Sequence, residues 1–246
     1  MSRLRVGDSI AARVGAWSRR QVARLLVNRA LELHVVGLEH VPNHGPAILV
    51  ARHYHHLYDA AAILASVPRE VHVMIALDWL GAGARLQVMR WLATAARWPG
   101  VWRSGPRSRL NRAGYRESLR LLREGRLALL FPEGYPTIDP EGSREADADG
   151  FRSFEAGFLV LAKRAGVQVP IVPVGLWYSA RPRGGWTVWL RFGRPTYRPQ
   201  LAAIQSTVRN LSRAPAEGWT SLSSGGNQWS ARVGQACPMS HRADLR

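Results

Sequence analysis

The sequence predicts an α/β fold: a mixed sheet flanked by helices, preceded by an amphipathic N-terminal helix. Three observations point there. Short apolar runs of strand length alternate with longer segments of helical period, the pattern of layered α/β domains. The chain has 246 residues, 46% of them hydrophobic, which is enough for one sizeable core. Charged residues make up only 21%, so the main body is not a disordered polymer.

Taken in order, residues 4 to 30 read as an amphipathic helix. Ile10, Val14, Trp17, Val22, Leu25 and Leu26 fall close to helical spacing, while Arg13, Arg19, Arg20, Arg24 and Arg29 decorate the rest. A basic, Trp-bearing amphipathic helix fits a membrane surface, and the same pattern fits a helix packed on the core with a solvated basic face. Leu31 to Val36 is a strand ended by Gly37, and 42–46 is a Pro/Gly turn. Ala47 to Ala51 is a second strand. It enters the loop that carries His53, His55, His56 and Asp59, with a helix to follow.

Val71 to Leu77 reads as one buried strand. Arg85 to Ala96 and Leu110 to Arg123 read as helices, stopped by Pro99-Gly100 and Gly125. Arg126 to Phe131 is a strand, 137–152 an acidic loop, and Phe154 to Ala165 a helix. Val169 to Trp177 is a buried strand whose Pro170 and Pro173 suggest a sheet edge or a strand end. Trp186 to Phe192 is the last strand, and Leu201 to Leu211 a short helix. Residues 214–246, rich in Gly, Ser and Arg and without periodicity, read as a poorly ordered tail. The division expected is therefore 1–30 amphipathic helix, 31–198 main domain, and 199–246 C-terminal helix and tail.

The formal net charge is +17, and Lys163 is the sole lysine among 34 basic residues. Arginine favours bidentate contact with phosphate or carboxylate, so the expected partners are anionic: lipid headgroups, phosphorylated substrates or nucleic acid. A nucleic-acid role is opposed by the even spread of the arginines and by the lack of any nucleic-acid motif. Cys237 is the only cysteine, which excludes an internal disulfide or a cysteine metal cluster. No run approaches the ~20 apolar residues of a spanning helix, so contact with a membrane is expected to be peripheral.

The stretch between the second strand and its helix concentrates the chemistry. A strand-to-helix loop fixes functional groups on a rigid scaffold. A carboxylate in the first turn, Asp59, stays ionised near the positive helix end and can orient an imidazole. A His/Asp pair of this kind deprotonates a hydroxyl. Histidines 53, 55 and 56 with Asp59 could instead ligate a metal of a hydrolase, but no second cluster completes such a site. The acidic segment 145–150 echoes a calcium loop without its closing Glu, since the twelfth position is Ala156.

Four segments together resemble the glycerophospholipid acyltransferase family, whose best-known members acylate lysophosphatidic acid. They are Arg52-His53 through Asp59, in place of the family's His-x-x-x-x-Asp; Pro99-Gly100-Val101-Trp102-Arg103; Phe131-Pro132-Glu133-Gly134; and Ile171-Val172-Pro173-Val174-Gly175. The resemblance spans roughly residues 30 to 198. It implies a mixed α/β acyltransferase fold, with transfer of a fatty acyl group from acyl-CoA or acyl carrier protein to a lysophospholipid hydroxyl at the cytoplasmic face of a membrane. No bound cofactor and no metal are implied.

The same resemblance implies catalysis by His53 and Asp59, phosphate binding by Arg103, and acceptor binding by Glu133 and by Gly134, which would permit close backbone approach. Two departures stand out. The family box separates His and Asp by five positions, whereas His53 lies six before Asp59 and His55 four. A one-residue expansion of the loop selects His53, with His55 second. The family's Arg two residues after the motif glycine is here Pro136, leaving Arg144 or Arg152 as substitutes.

Overall fold

A computed structural model of the chain describes residues 6–78, 83–102, 111–139, 145–182 and 184–215. Eight strands are present among them: β1 (Leu31–Val36), β2 (Ala47–Ala51), β3 (Val71–Val73), β4 (Ile75–Ala76), β5 (Gly100–Val101), β6 (Leu127–Leu130), β7 (Ile171–Ala180) and β8 (Trp186–Phe192). The helices are α1 (Val6–Ala30), α2 (Tyr58–Ser66), α3 (Ala84–Ala95), α4 (Asn111–Arg123), α5 (Gly157–Arg164) and α6 (Leu201–Leu211). Six strands form one sheet in the order β1-β8-β7-β2-β6-β3, and β4 pairs with β5 in a small parallel ribbon. All neighbours in the main sheet are parallel except β7 and β8. A mixed sheet between helical layers is the architecture that the alternating pattern predicts.

β2 lies inside this sheet, and each of its residues is fully buried. Ala47, Leu49 and Ala51 pack with Ala61, Ala62 and Ile63 of α2 and with Ala23 and Val27 of α1. Ile48 and Val50 pack on the other face with Leu122, Phe158, Leu161, Ile204 and Val208. Both faces of a parallel interior strand are covered, so its sequence is continuously apolar rather than alternating. β8 is less enclosed and keeps the alternation, with Val188, Leu190 and Phe192 buried.

Three details differ from the sequence reading. Residues 71–77 do not form one strand. Met74 N–H still donates to Leu129 of β6, but Ile75 N–H donates to Pro99, so the chain changes partners and becomes β4. The helix expected from Phe154 begins at Gly157. Phe154 N–H is taken by the Gln205 side chain and Glu155 N–H by Pro132 O, which holds these residues in an extended connection. β7 is not an edge strand despite its prolines, because β8 and β2 flank it. Pro170 precedes the strand. Pro173 sits opposite Gly193, one residue beyond the end of β8; its carbonyl accepts Gly193 N–H, and the N–H it lacks costs one bond at the strand end rather than one inside the ladder.

Among the described side chains of α1, Ala23 and Val27 are buried, whereas Trp17, Val22 and Leu25 face outward, Trp17 at 63% exposure. The small side chains let α1 lie close on α2, and the bulky ones are left on the solvent side. α6 packs on β7 with Ile204 and Val208 buried, so it continues the helical layer. Of the tail expected from 214 onward, 216–246 lies outside the described residues.

Gly175 of β7 marks the tightest approach between α6 and the sheet. A Cβ there would lie well inside van der Waals contact with the backbone and Cβ of Leu211. Gly175→Ala is therefore expected to lower unfolding stability by ~1–3 kcal/mol, as overpacking against backbone does. Urea denaturation checks this, and an unchanged midpoint contradicts it.

Candidate active site

β2 and β6 are parallel neighbours, so the segments that leave their C-terminal ends emerge side by side. The loop 52–57 follows β2, and Phe131 to Gly134 follows β6. The carboxyl ends of parallel strands are where open α/β sheets place their ligand crevices. Asp59, in the first turn of α2, is fully buried and organises the loop. Its Oδ2 accepts from His53 Nδ1 at 2.9 Å, from Tyr54 N–H at 2.6 Å and from His55 N–H at 2.8 Å. One carboxylate oxygen thus gathers three donors and wraps the loop around itself.

The hydrogen bond to Asp59 sets the His53 tautomer. A carboxylate only accepts, so Nδ1 must carry a proton, and in the neutral ring the free lone pair is that of Nε2. Among the described residues Nε2 has no hydrogen-bond partner. The His53 ring stacks on Phe131, with centroids 4.3 Å apart, and is mostly shielded from solvent. The result is an imidazole fixed in orientation, whose Nε2 is the nitrogen left free to act as a base.

The other histidines do not share this geometry. His55 reaches Asp59 through its backbone, while its ring Nδ1 accepts Leu57 N–H at 3.3 Å and its ring lies against Tyr58. Burial holds the His55 imidazole below its ordinary pKa, partly opposed by Asp59. His56 Nε2 leans toward Asp139 at 3.6 Å. Among the described residues no group of three or more His, Cys, Asp or Glu side chains comes together in a way that could hold a metal ion. In the acidic loop, Asp147 accepts Asp149 and Phe151 N–H and pairs with Arg209, so its carboxylate organises the backbone.

Glu133 ties the two strand ends together. Its Oε1 accepts His53 N–H at 2.7 Å and its Oε2 accepts Arg152 N–H at 3.0 Å. Gly134 has φ +75°, a left-handed turn conformation, and open space where a Cβ would stand. The turn itself therefore favours glycine here, and no protein atom stands where its Cβ would be. Arg152 lays its guanidinium over the Tyr135 ring at 4.8 Å and pairs with Glu145, and its Nη1 is buried without a hydrogen-bond partner. Arg52 is buried beside His53, donates to the Asp149 and Gly150 carbonyls and packs on the Tyr54 and Phe151 rings. Arg103 and Arg144 lie outside the described residues.

One partner was not legible in the chain. Tyr178 donates its hydroxyl to Asp59 Oδ1 at 2.5 Å, 119 residues away in sequence. It comes from β7, whose pairing with β2 ends at Ala51↔Val174 while the strand runs on to Ala180. The overhang carries Tyr178 across the histidine loop. Only the strand order and register place it there, and neither is encoded in a local motif.

A family model described as acyltransferase matches residues 32–177. Among solved structures, the chain is similar to the 1-acyl-sn-glycerophosphate (LPA) acyltransferase PlsC from Thermotoga maritima, with a TM-score of 0.59 and 22% identity over 85% of this chain and 80% of that one. At that identity the likeness concerns the fold. No curated protein matches the chain.

Burial pushes the Glu133 carboxyl up from 4.5 to about 7, against the pull of its two backbone N–H donors. Between those values the folded protein holds a proton that the unfolded chain has released, so stability falls as pH rises through this window and levels above it. In Glu133→Gln that part of the slope is absent. Stability of the variant relative to wild type should rise by about 3 kcal/mol from the lower to the upper end of the window. Urea midpoints measured across the window test this, and parallel curves would refute it.

Proposed function

The chain belongs to the acyltransferase family, and from that premise we propose that it moves a fatty acyl group from a thioester to the hydroxyl of a lysophospholipid such as 1-acylglycerol 3-phosphate. The thioester is acyl-CoA or an acylated carrier protein. The observation that supports this reading best is the His53–Asp59 contact, which orients the imidazole and leaves Nε2 as the nitrogen available to take a proton.

In the proposed reaction His53 Nε2 removes the proton from the acceptor hydroxyl as its oxygen attacks the thioester carbonyl. The tetrahedral intermediate then collapses, the carbon–sulfur bond breaks, and the imidazolium returns its proton to the departing thiolate. Asp59 stabilises the imidazolium and holds the ring in place. No protein nucleophile is needed, since the acyl group passes directly from sulfur to oxygen. Arg152, with its unoccupied Nη1, joins Arg103 as our assignment for the acceptor's phosphate. Glu133 holds the backbone that both His53 and Arg152 stand on.

A lysophospholipid acceptor resides in a bilayer, and we assign this protein to the cytoplasmic surface of one. Among the described residues no helix is long and apolar enough to cross a membrane. Two helices support surface attachment. α1 turns Trp17, Val22 and Leu25 outward, and α3 turns out Val88, Trp91 and Leu92, with Trp91 at 69% exposure. Tryptophan and aliphatic side chains beside arginines suit an interface of acyl chains and anionic headgroups.

Radiolabelled acyl-CoA offered with a panel of lysolipids tests the reaction. His53→Ala and Asp59→Asn are each expected to lower kcat ~10²–10⁴-fold, the usual contribution of a positioned base, while His55→Ala stays within several-fold of wild type. Equal losses for His53→Ala and His55→Ala, or an active Asp59→Asn, would overturn the assignment. For the membrane, Val88→Ser with Trp91→Ser should reduce co-sedimentation with anionic vesicles while leaving thermal stability intact. Unchanged sedimentation would exclude α3 from the interface.

A further inference from the structure

We propose that the Tyr178 hydroxyl is a positioning group for acyl transfer: it anchors Asp59 Oδ1 so that Oδ2 stays aimed at His53 Nδ1. The inference rests on the reaction proposed above and adds to it a residue from a strand outside the motif segments that carry the pair. A carboxylate side chain turns about its Cβ–Cγ bond unless both oxygens are held. Oδ2 has three donors, all from the loop that Asp59 itself organises. Tyr178 supplies the contact to Oδ1, and it comes from β7, a different and rigid part of the sheet.

The geometry fixes Tyr178 as firmly as Tyr178 fixes Asp59. Its side chain is almost wholly buried. Its ring stacks on Tyr54, with centroids 4.6 Å apart and planes 12° from parallel, and Trp186 meets both rings edge-on at 6.0 and 6.4 Å. Tyr54 is itself the residue whose N–H donates to Oδ2, so the stack also braces the loop next to His53. Burial and the neighbouring Asp59 hold the phenol well above its ordinary pKa. It therefore stays a neutral donor wherever a histidine titrates. The charged and titratable groups around this carboxylate are His53, His55 and His56 on the loop, Tyr58 on α2, Tyr54 and Tyr178 in the stack, Arg52 just after β2, and Glu133 after β6.

Removing the O–H has a defined sign. Without a donor on Oδ1, more of the carboxylate's charge bears on the His53 side, the imidazolium form is favoured, and the acidic limb of activity moves to higher pH. Asp59 is also freer to turn, so kcat falls while substrate binding does not change.

The test compares wild type with Tyr178→Phe in the full chain. The variant keeps the ring and its stacking, and circular dichroism with a thermal melt verifies the fold. The expected result is a kcat about tenfold lower or less, KM for both substrates within about twofold, and an acidic limb moved up. By NMR, the Nδ1 proton that His53 shares with Asp59 should change its chemical shift. Site-specific 3-fluorotyrosine at 178 keeps the size and strengthens the donor, and it should move the limb the opposite way. Tyr197→Phe, at an exposed tyrosine, is the control. Wild-type kcat and pH limb in Tyr178→Phe, or an unmoved Nδ1 resonance, overturn the inference and leave a ring that only fills space. Absence of transfer by the wild type overturns the proposed reaction instead, and the NMR comparison still decides the role of Tyr178.

Discussion

A single buried carboxylate holds the functional end of this molecule together. Asp59 has no solvent around it, and an ionised group in that position is tolerable only when its lone pairs are occupied. Three donors come from the loop after β2 and one from β7. The loop is thus shaped by the need to satisfy a charge, and the imidazole orientation is a by-product of the same requirement. Glu133 repeats the device one strand away, where a buried carboxyl accepts backbone N–H groups from two segments that would otherwise be independent.

This arrangement places different demands on the two carboxyls. Asp59 is surrounded by donors that favour its charge. Glu133 has only two, and burial outweighs them enough to carry it to about 7. Near neutrality the buried Glu133 carboxyl can therefore exchange a proton while it continues to tie the two segments together.

The fold was largely legible because burial writes itself into local pattern. The unbroken apolar run of β2 records two covered faces, and the alternation in β8 records an asymmetric one. His53 and Asp59 were legible because the loop between them is short. The rest depended on pairing across long separations. Pro173 reads as an edge residue until the end of β8 is known to lie beside it. The break at Met74 reflects a change of partner that no residue type announces. The left-handed turn at Gly134 is one that its residue type suggests. Tyr178 is one of two adjacent aromatic residues in β7, and only the overhang past Ala51 gives it a role.

The pairing of β1 with β8 bears on how the protein is made. Glu32 and its neighbour Thr187 are 155 residues apart, yet the first strand has no other partner in the sheet. At ~5–20 residues per second, a ribosome needs roughly 10 to 30 s to cover that distance. Throughout that interval β1 lacks its sheet neighbour. Hairpin closure by β7 and β8 is the step that supplies it. A stalled or truncated product ending before β8 would keep every motif residue of the loop and still present an aggregation-prone border to its surroundings.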